Sequence, residues 1–376
     1  MSSPVYIVAD NVISPLGTTS AENYARVSAG DTGISLVDDA GLSPVPVYAA
    51  RINDSSLPHI ESSSPRFERL CILSIQEALT HTAISMADRD TIFILSTTKG
   101  NIELLAAGAR DSDLSLSLSA DRIAAHFRAV NKPIVVSNAC ISGVLAIITA
   151  KRLINAGKYK NAVVTGADVL SRFVVSGFQS LMAISDEPCR PFDKARKGIN
   201  LGEGAATVVL TSDGSLVQPD SIQVLGEGLT NDANHISGPS RTGAELADAV
   251  TKAISRSSIT AEDIAFISAH GTATLYNDEM ESKAFERAGL SDTPLHSLKG
   301  YFGHTLGAAG VIETVMTIHS LRAKKVLASH GYTESGVPGS VTVNSSVVTS
   351  DKSHALKTAS GFGGCNAALV YKLNTI

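Results

Sequence analysis

The sequence predicts an α/β protein made of two similar halves, and three observations carry that reading. Short β-branched runs alternate with longer helical patterns, the pattern of sheets covered by helices. A glycine-rich turn runs into an apolar strand twice, at residues 202–210 and again at 361–371. In the middle of each half a residue of reactive type, Cys140 in the first and His304 in the second, opens an unusually apolar helix. The seam falls near residues 212–220, which hold Gly214 and Pro219, so the halves are expected to run 1–213 and 220–376.

In chain order, residues 5–9 read as the opening strand, 65–86 as a long helix and 91–95 as a second strand. Two helical patterns follow at 102–107 and 119–130, then the strand 133–137 that leads to Cys140. The helix 142–156 and the strands 162–165 and 206–210 complete the first half. The second half continues with strand 222–226, helix 243–254, strand 264–269, helices 278–285 and 306–321, and strands 326–328 and 367–371. The strands are aliphatic and β-branched runs bounded by turn residues, and the helices are the longer periodic segments.

The helix after Cys140 is informative. Ile141, Val144, Leu145, Ala146, Ile147, Ile148 and Ala150 cover nearly its whole circumference, and a helix that is apolar all round is buried. It ends at Ala156-Gly157, where glycine can take the left-handed conformation. The helix after His304 begins Leu306-Gly307-Ala308-Ala309-Gly310-Val311-Ile312, and its small residues allow close helix contact. Two buried helices, each started by a potentially catalytic side chain, imply helices sandwiched between two sheets.

Composition removes several classes of function. The 376 residues are 44% hydrophobic and 18% charged, enough for a sizeable core and unlike a disordered chain. The net charge of −5 leaves no basic footprint for nucleic acid. The short basic groups Lys194-Ala195-Arg196-Lys197 and Arg322-Ala323-Lys324-Lys325 read as solvated turns and helix ends. No apolar run is long enough to span a membrane, and the N-terminus lacks the basic start and apolar stretch of a signal peptide. The four cysteines, Cys71, Cys140, Cys189 and Cys365, form no C-x-x-C pair, and no metal motif is present. Their wide spacing fits a reducing, cytoplasmic setting.

Cys140 lies in Val135-Val136-Ser137-Asn138-Ala139-Cys140-Ile141-Ser142-Gly143, where a strand ends and a helix starts. A side chain on such a turn is presented as in a nucleophile elbow. The helix N-terminus is expected to favour the thiolate and lower its pKa, and its N–H groups can hold an oxyanion. The competing reading is an inert buried cysteine. Two histidine segments change the balance. Ala269-His270-Gly271-Thr272-Ala273-Thr274 puts a histidine at a strand end with hydroxyls at i+2 and i+4, and Asp278 and Glu281 follow. Lys299-Gly300-Tyr301-Phe302-Gly303-His304 precedes the small-residue helix. His59, His81, His126, His235, His296, His319, His330 and His354 have no comparable setting.

These segments resemble the β-ketoacyl-acyl-carrier-protein synthases of the condensing-enzyme (thiolase) superfamily, in the Cys-His-His group similar to types I and II. The patterns are Ala139-Cys140, residues 269–281, residues 299–310, and Gly361-Phe362-Gly363-Gly364-Cys365-Asn366. Arg190-Pro191-Phe192-Asp193, Gly202-Glu203-Gly204-Ala205 and Ser14-Pro15-Leu16-Gly17 also match, so the resemblance spans essentially the whole chain. It implies a thiolase fold, five-layered α-β-α-β-α, and a ping-pong decarboxylative condensation. Cys140 would carry the acyl group, and the backbone N–H groups of Cys140 and Phe362 would hold the oxyanion. His270 and His304 would stabilise the enolate of a malonyl extender. Lys299 would pair with Glu313 and position the loop of His304, with catalytic importance of its own. That pairing agrees with the helix itself, because a carboxylate inside so apolar a segment needs a partner. Asp278 and Glu281 would be supports, Thr272 and Thr274 would contact the phosphopantetheine arm, and Phe362 would be a mobile gate.

The resemblance further implies acyl-carrier protein as a partner, substrates carried on its phosphopantetheine and no cofactor of the enzyme's own. It implies a homodimer, with the strand before Cys140 near the two-fold axis, or a heterodimer with a second ketosynthase-like subunit. The chain departs from the pattern at Ile141, Asn277, Ser360 and Cys365, at Ala9 and Asn11, and in a compact stretch between residues 100 and 133. These departures bear on acyl length and on a fatty-acid, polyketide or pigment-type product. Three alternatives compete with this reading: a coenzyme A-dependent thiolase-type acyltransferase, a weakly catalytic or non-catalytic partner subunit, and a Cys-His hydrolase.

Overall fold

The computed structural model describes residues 3–59 and 64–374. Ten strands build its frame. The first half supplies β1 (Tyr6–Ile13), β2 (Thr91–Ser96), β3 (Ile134–Val136), β4 (Asn161–Asp168) and β5 (Gly204–Thr211). The second supplies β6 (Ile222–Asn231), β7 (Ile264–Ser268), β8 (Pro294–His296), β9 (His354–Gly361) and β10 (Cys365–Leu373). Spatial order in the first half is β3-β2-β4-β5-β1, and in the second β8-β7-β9-β10-β6. The pairings match position for position. In each half the first two are parallel and the last two antiparallel. The fold is therefore a duplication visible in the hydrogen bonding itself.

The two half-sheets are not separate. β1 and β6 pair through Tyr6↔Gln223 and Ile7↔Ile222, which joins these ten strands, with the two-residue edge strand Thr342–Val343 beside β8, into one continuous eleven-stranded sheet. The five layers follow from what packs on each face. Helices α2 (Arg66–Thr80) and α3 (Leu116–His126) cover the outer face of the first half, and α6 (Ala244–Arg256) and α7 (Leu275–Arg287) that of the second. Between the half-sheets lie α4 (Ser142–Asn155) and α9 (Ala309–Ala323). Here β2 and β5 are buried at every position, and β4 at every position after Asn161, which is why they read as unbroken apolar runs with no alternation.

The inner helices meet at two glycines. A Cβ on Gly143 would stand 2.7 Å from the amide N of Val311, and one on Gly310 would stand 2.5 Å from that of Val144. Backbone touches backbone at this crossing, so no larger residue fits. That close approach brings the starts of the two helices, and the residues just before them, to one place.

Several elements differ from the sequence reading. The helix expected over 65–86 stops at Thr80, because Ile84 and Met86 are buried from a loop and only mimic helical periodicity. Ile102–Ala107 is a 3₁₀ segment. The strand expected at 326–328 is a two-residue strand paired with Val348–Thr349 outside the main sheet. The central strand β9 and the helices α1 (Ser20–Ala29) and α5 (Arg172–Ser180) were not anticipated. Their mixed polar and small residues carry little periodic signal.

Candidate active site

Cys140 is held on an elbow between β3 and α4. Ala139 has φ +43°, a left-handed turn that costs a non-glycine residue about 1–2 kcal/mol. Ser142 fixes it: its hydroxyl donates to the Ala139 carbonyl at 2.6 Å and accepts the Asn138 amide N–H at 2.7 Å. Gly361 packs against the turn, where an added Cβ would lie 3.1 Å from the Cys140 amide N and 3.1 Å from Cys365 Sγ.

His304 lies between α8 (Lys299–Phe302) and α9. Its amide N–H donates to the Asn200 carbonyl at 2.7 Å, and its carbonyl accepts the Gly202 amide at 3.1 Å. A Cβ on Gly202 would fall 1.9 Å from the Phe302 carbonyl oxygen, which explains the glycine in that segment. The ring is placed as firmly. Leu306 N–H donates to His304 Nδ1 at 3.2 Å, and Nε2 stands 3.1 Å from Cys140 Sγ. With Nδ1 occupied as an acceptor, the hydrogen-bond pattern assigns the ring proton to Nε2.

His270 ends the segment after β7. Its amide and that of Gly271 donate to the two oxygens of Glu281, at 2.9 and 2.6 Å. Asp278 accepts the amides of Phe192, Thr272 and Ala273. The acidic residues thus hold the backbone of the histidine segment. Asn277 adds its amide to both, at 3.2 Å to Asp278 and 2.9 Å to Glu281. Burial and the neighbouring Asp278 push Glu281 up to about 7.

Lys299 is fully buried and engages three acceptors: the His270 carbonyl at 2.6 Å, Glu313 Oε1 at 2.8 Å and His270 Nδ1 at 3.2 Å. These match the three N–H donors of an ammonium group. His270 therefore also carries its proton on Nε2. Its ring and that of His304 meet edge-to-face with centroids 5.3 Å apart. One polar atom each from Cys140, His270 and His304 lie within 4.8 Å of one another. Burial, with the positive charge of Lys299 and Lys357 behind it, holds both imidazoles well below the ordinary histidine value. They are neutral N–H donors.

The expectation of an acidified thiol is corrected. Burial pushes Cys140 up to about 12 although Lys299 acts in the opposite direction. The cavity is dry enough that desolvation of a thiolate outweighs the nearby ammonium.

These groups open into a cavity of about 510 Å³, whose lining also includes Thr272, Thr274, Ser360 and Phe362. The two threonine hydroxyls are 2.8 Å apart. Phe362 stacks on Phe178 with centroids 6.0 Å apart. Ser360, where a phenylalanine is common in the resembling family, donates to Asn366 at 2.7 Å. Exposed Met182, Ile236 and Tyr276 stand on the rim.

Asp168 and Lys357 escaped the sequence reading. Asp168, buried at the end of β4, accepts the Gly307 amide at 2.7 Å together with groups of Thr97, Thr98 and Lys99, anchoring the turn after His304. Lys357, wholly buried on β9, lies 2.6 Å from Glu313 Oε2.

Comparison with known proteins now decides the family. Residues 2–214 match the model of the beta-ketoacyl synthase N-terminal domain, and residues 222–333 match that of the C-terminal domain. The chain belongs to the beta-ketoacyl synthase family. The synthase is 28% identical to 3-oxoacyl-[acyl-carrier-protein] synthase 2 of Rhizobium meliloti, over 99% of each chain. It is 25% identical to the enzyme of that name from Staphylococcus aureus, over 98% of each. Among solved structures, it superposes with a TM-score of 0.87 and 26% identity on a chain from the complex of a ketosynthase and its chain length factor from Xenorhabdus doucetiae, covering 99% of this chain and 98% of that one. A beta-ketoacyl synthase from Burkholderia phymatum gives a TM-score of 0.85 at 25% identity, covering 99% and 100%. The synthase is thus a thiolase-fold condensing enzyme of fatty-acid or polyketide-type biosynthesis, and no helix among its described residues is long and apolar enough to cross a membrane.

Proposed function

We propose that the synthase performs decarboxylative Claisen condensation between an acyl thioester and malonyl-acyl-carrier protein through an acyl-Cys140 intermediate. In the first half-reaction Cys140 Sγ attacks the thioester carbonyl. The carbon–sulfur bond to pantetheine breaks, and the thiol proton leaves with the pantetheine sulfur, so no net base is consumed. This suits a thiol that is protonated in the empty cavity. The amide N–H groups of Cys140 and Phe362 hold the oxyanion.

In the second half-reaction the malonyl thioester oxygen accepts from Nε2–H of His270 and of His304. Carbon dioxide leaves, and its bonding pair becomes the enolate that those donors stabilise. The carbanion attacks the acyl-Cys140 carbonyl and releases the thiolate, which takes up a proton. Lys299 and Glu313 hold His270 in place, Asp278 and Glu281 hold its backbone, and Thr272 and Thr274 contact the pantetheine arm. The apolar rim around Phe362 admits that arm.

One observation carries the reading: on both imidazoles Nδ1 faces a donor, which leaves Nε2–H as the donating group, and that of His304 stands 3.1 Å from the thiol sulfur. A Cys-His hydrolase needs a ring nitrogen free to take the thiol proton. The complete Cys-His-His set disfavours the non-catalytic subunit, and the second histidine disfavours a coenzyme A-dependent thiolase. We assign the halves to 1–213 and 220–376. We further assign acyl-carrier protein as the partner, a cytoplasmic location, and a dimer through the β3 edge of the sheet, with itself or with a second ketosynthase-like chain. The test is incubation with acyl- and malonyl-carrier protein. A 3-oxoacyl-carrier protein two carbons longer supports the reading, and free fatty acid alone refutes it.

A further inference from the structure

Beneath the two imidazoles lies a buried charge cluster larger than one ion pair. Glu313 on α9 presents Oε1 to Lys299 at 2.8 Å and Oε2 to Lys357 at 2.6 Å. One carboxylate between two ammonium groups leaves the cluster net positive. Lys357 is further held by the carbonyls of Ser268 at 3.1 Å and Thr358 at 2.6 Å, the first of them two residues before His270. The next residue on β9, Thr358, donates to Glu281 at 3.3 Å. β9 thus braces both carboxylates beneath the histidine segment. A buried ammonium is costly unless it is paired, and the Lys299–Glu313 pair is complete without a second lysine. The extra charge therefore calls for another explanation.

We propose that Lys357 is a positioning residue of the decarboxylation step: its charge keeps His270 and His304 neutral as hydrogen-bond donors and steadies the enolate that forms above them. The proposal rests on the condensing reading given above. It follows from where the charge sits. Burial and Lys299 pull the Lys357 ammonium below the ordinary lysine value while Glu313 supports its charged form, and a positive charge beneath a dry cavity opposes protonation of the imidazoles and favours negative charge on a substrate oxygen. Burial and Lys357 also hold His296 down to about 3, and both its ring nitrogens are unpartnered among the described residues, so the same charge reaches a third imidazole. The groups facing the catalytic pair are Cys140 before α4, Lys299 on α8, Glu313 on α9 and Lys357 on β9. Asp278 and Glu281 on α7, Asp168 at the end of β4 and His296 on β8 stand behind them.

The experiment compares Lys357→Met and Lys357→Arg with wild type in release of labelled carbon dioxide from malonyl-carrier protein across pH. Alkylation of Cys140 by iodoacetamide and Tm serve as folding controls. In Lys357→Met the acid limb of kcat should move toward neutrality by roughly one pH unit. At neutral pH kcat should fall roughly tenfold with KM little changed, and Lys357→Arg should restore both. An acid limb unmoved in Lys357→Met, or Lys357→Arg as impaired as Lys357→Met, overturns the assignment. Should Lys357→Met not fold, titration of the ¹⁵N-labelled imidazoles in wild type and Lys357→Gln decides it. Protonation at a higher pH in Lys357→Gln than in wild type supports it, and titration at the same pH in both overturns it. A wild type that releases no carbon dioxide sinks the condensing reading, while the imidazole titration still reports on Lys357.

Discussion

His304 meets Cys140 through its protonated nitrogen: Nε2 stands 3.1 Å from Sγ, while Nδ1 accepts the Leu306 amide. The relationship orders the chemistry. An imidazole held this way donates to a sulfur anion or a carbonyl oxygen and does not remove the thiol proton, which leaves with the displaced pantetheine.

Cys140→Ala should take up no acyl label from acyl-carrier protein. Cys140→Gln should still release carbon dioxide from malonyl-carrier protein, because its side-chain carbonyl can occupy the place of the acyl thioester. Labelled carbon dioxide and protein-bound label read the two outcomes separately. A Cys140→Ala protein that retains labelled acyl on the chain contradicts the nucleophile.

His304→Ala removes a donor that acts on the extender. Condensation should fall by about 10² or more, the usual cost of one such donor, while acylation of Cys140 persists. Stopped-time intact mass follows both. Loss of acylation together with condensation would move His304 into the first half-reaction.

Lys299→Ala leaves Glu313 Oε1 and His270 Nδ1 without their donor. Overall turnover should drop by at least tenfold, since geometry at the second step is lost, with Cys140 still acylated at a near-normal rate. Equal loss of both rates would mean that Lys299 shapes the whole cavity.

The reacting trio was legible in the sequence because each residue sits among neighbours at fixed short offsets: the alanine before Cys140, the hydroxyls after His270, the small-residue helix after His304. The mirrored strand pairing was legible only in outline, since β9 hides in the mixed run His-Ala-Leu-Lys-Thr-Ala-Ser-Gly. Asp168 was out of reach, because its partner Gly307 is 139 residues away. Lys357 is likewise defined by groups on other elements, the Glu313 carboxylate and the Ser268 carbonyl. The acidity of Cys140 was misread for a related reason. A helix N-terminus shows in the sequence, whereas the dryness of the cavity that outweighs it is a property of the packing.

The helix crossing makes a stability prediction. Gly143→Ala places a methyl carbon 2.8 Å from Gly310 Cα and 2.7 Å from Val311 N. Overpacking of this kind costs about 1–3 kcal/mol and should pry His304 from Cys140. Thermal unfolding and activity should fall together, and an unchanged Tm would contradict the backbone contact.

Asp10 on β1 ties α9 to the sheet through His319 at 2.8 Å and Arg322 at 3.0 Å. Burial alone would raise its pKa, but these two partners outweigh burial and hold it well below the usual carboxylate range. A carboxylate depressed in the folded state adds stability above its unfolded value, and that contribution disappears as pH falls through the folded one. Asp10→Asn should therefore cost about 3 kcal/mol at neutral pH, with the gap to wild type closing below about pH 4. Urea unfolding at several pH values measures it, and a gap that widens in acid would contradict the sign.

The most direct test of carbon–carbon bond formation follows the acyl group on Cys140. The protein is loaded from acyl-carrier protein, freed of excess donor, and mixed with malonyl-carrier protein while intact mass is read on both chains. The expected result is loss of the acyl mass from Cys140, matched by a 3-oxoacyl group on the carrier and one carbon dioxide per turnover. Acyl loss to water as free acid, with malonyl-carrier protein unchanged, would contradict it.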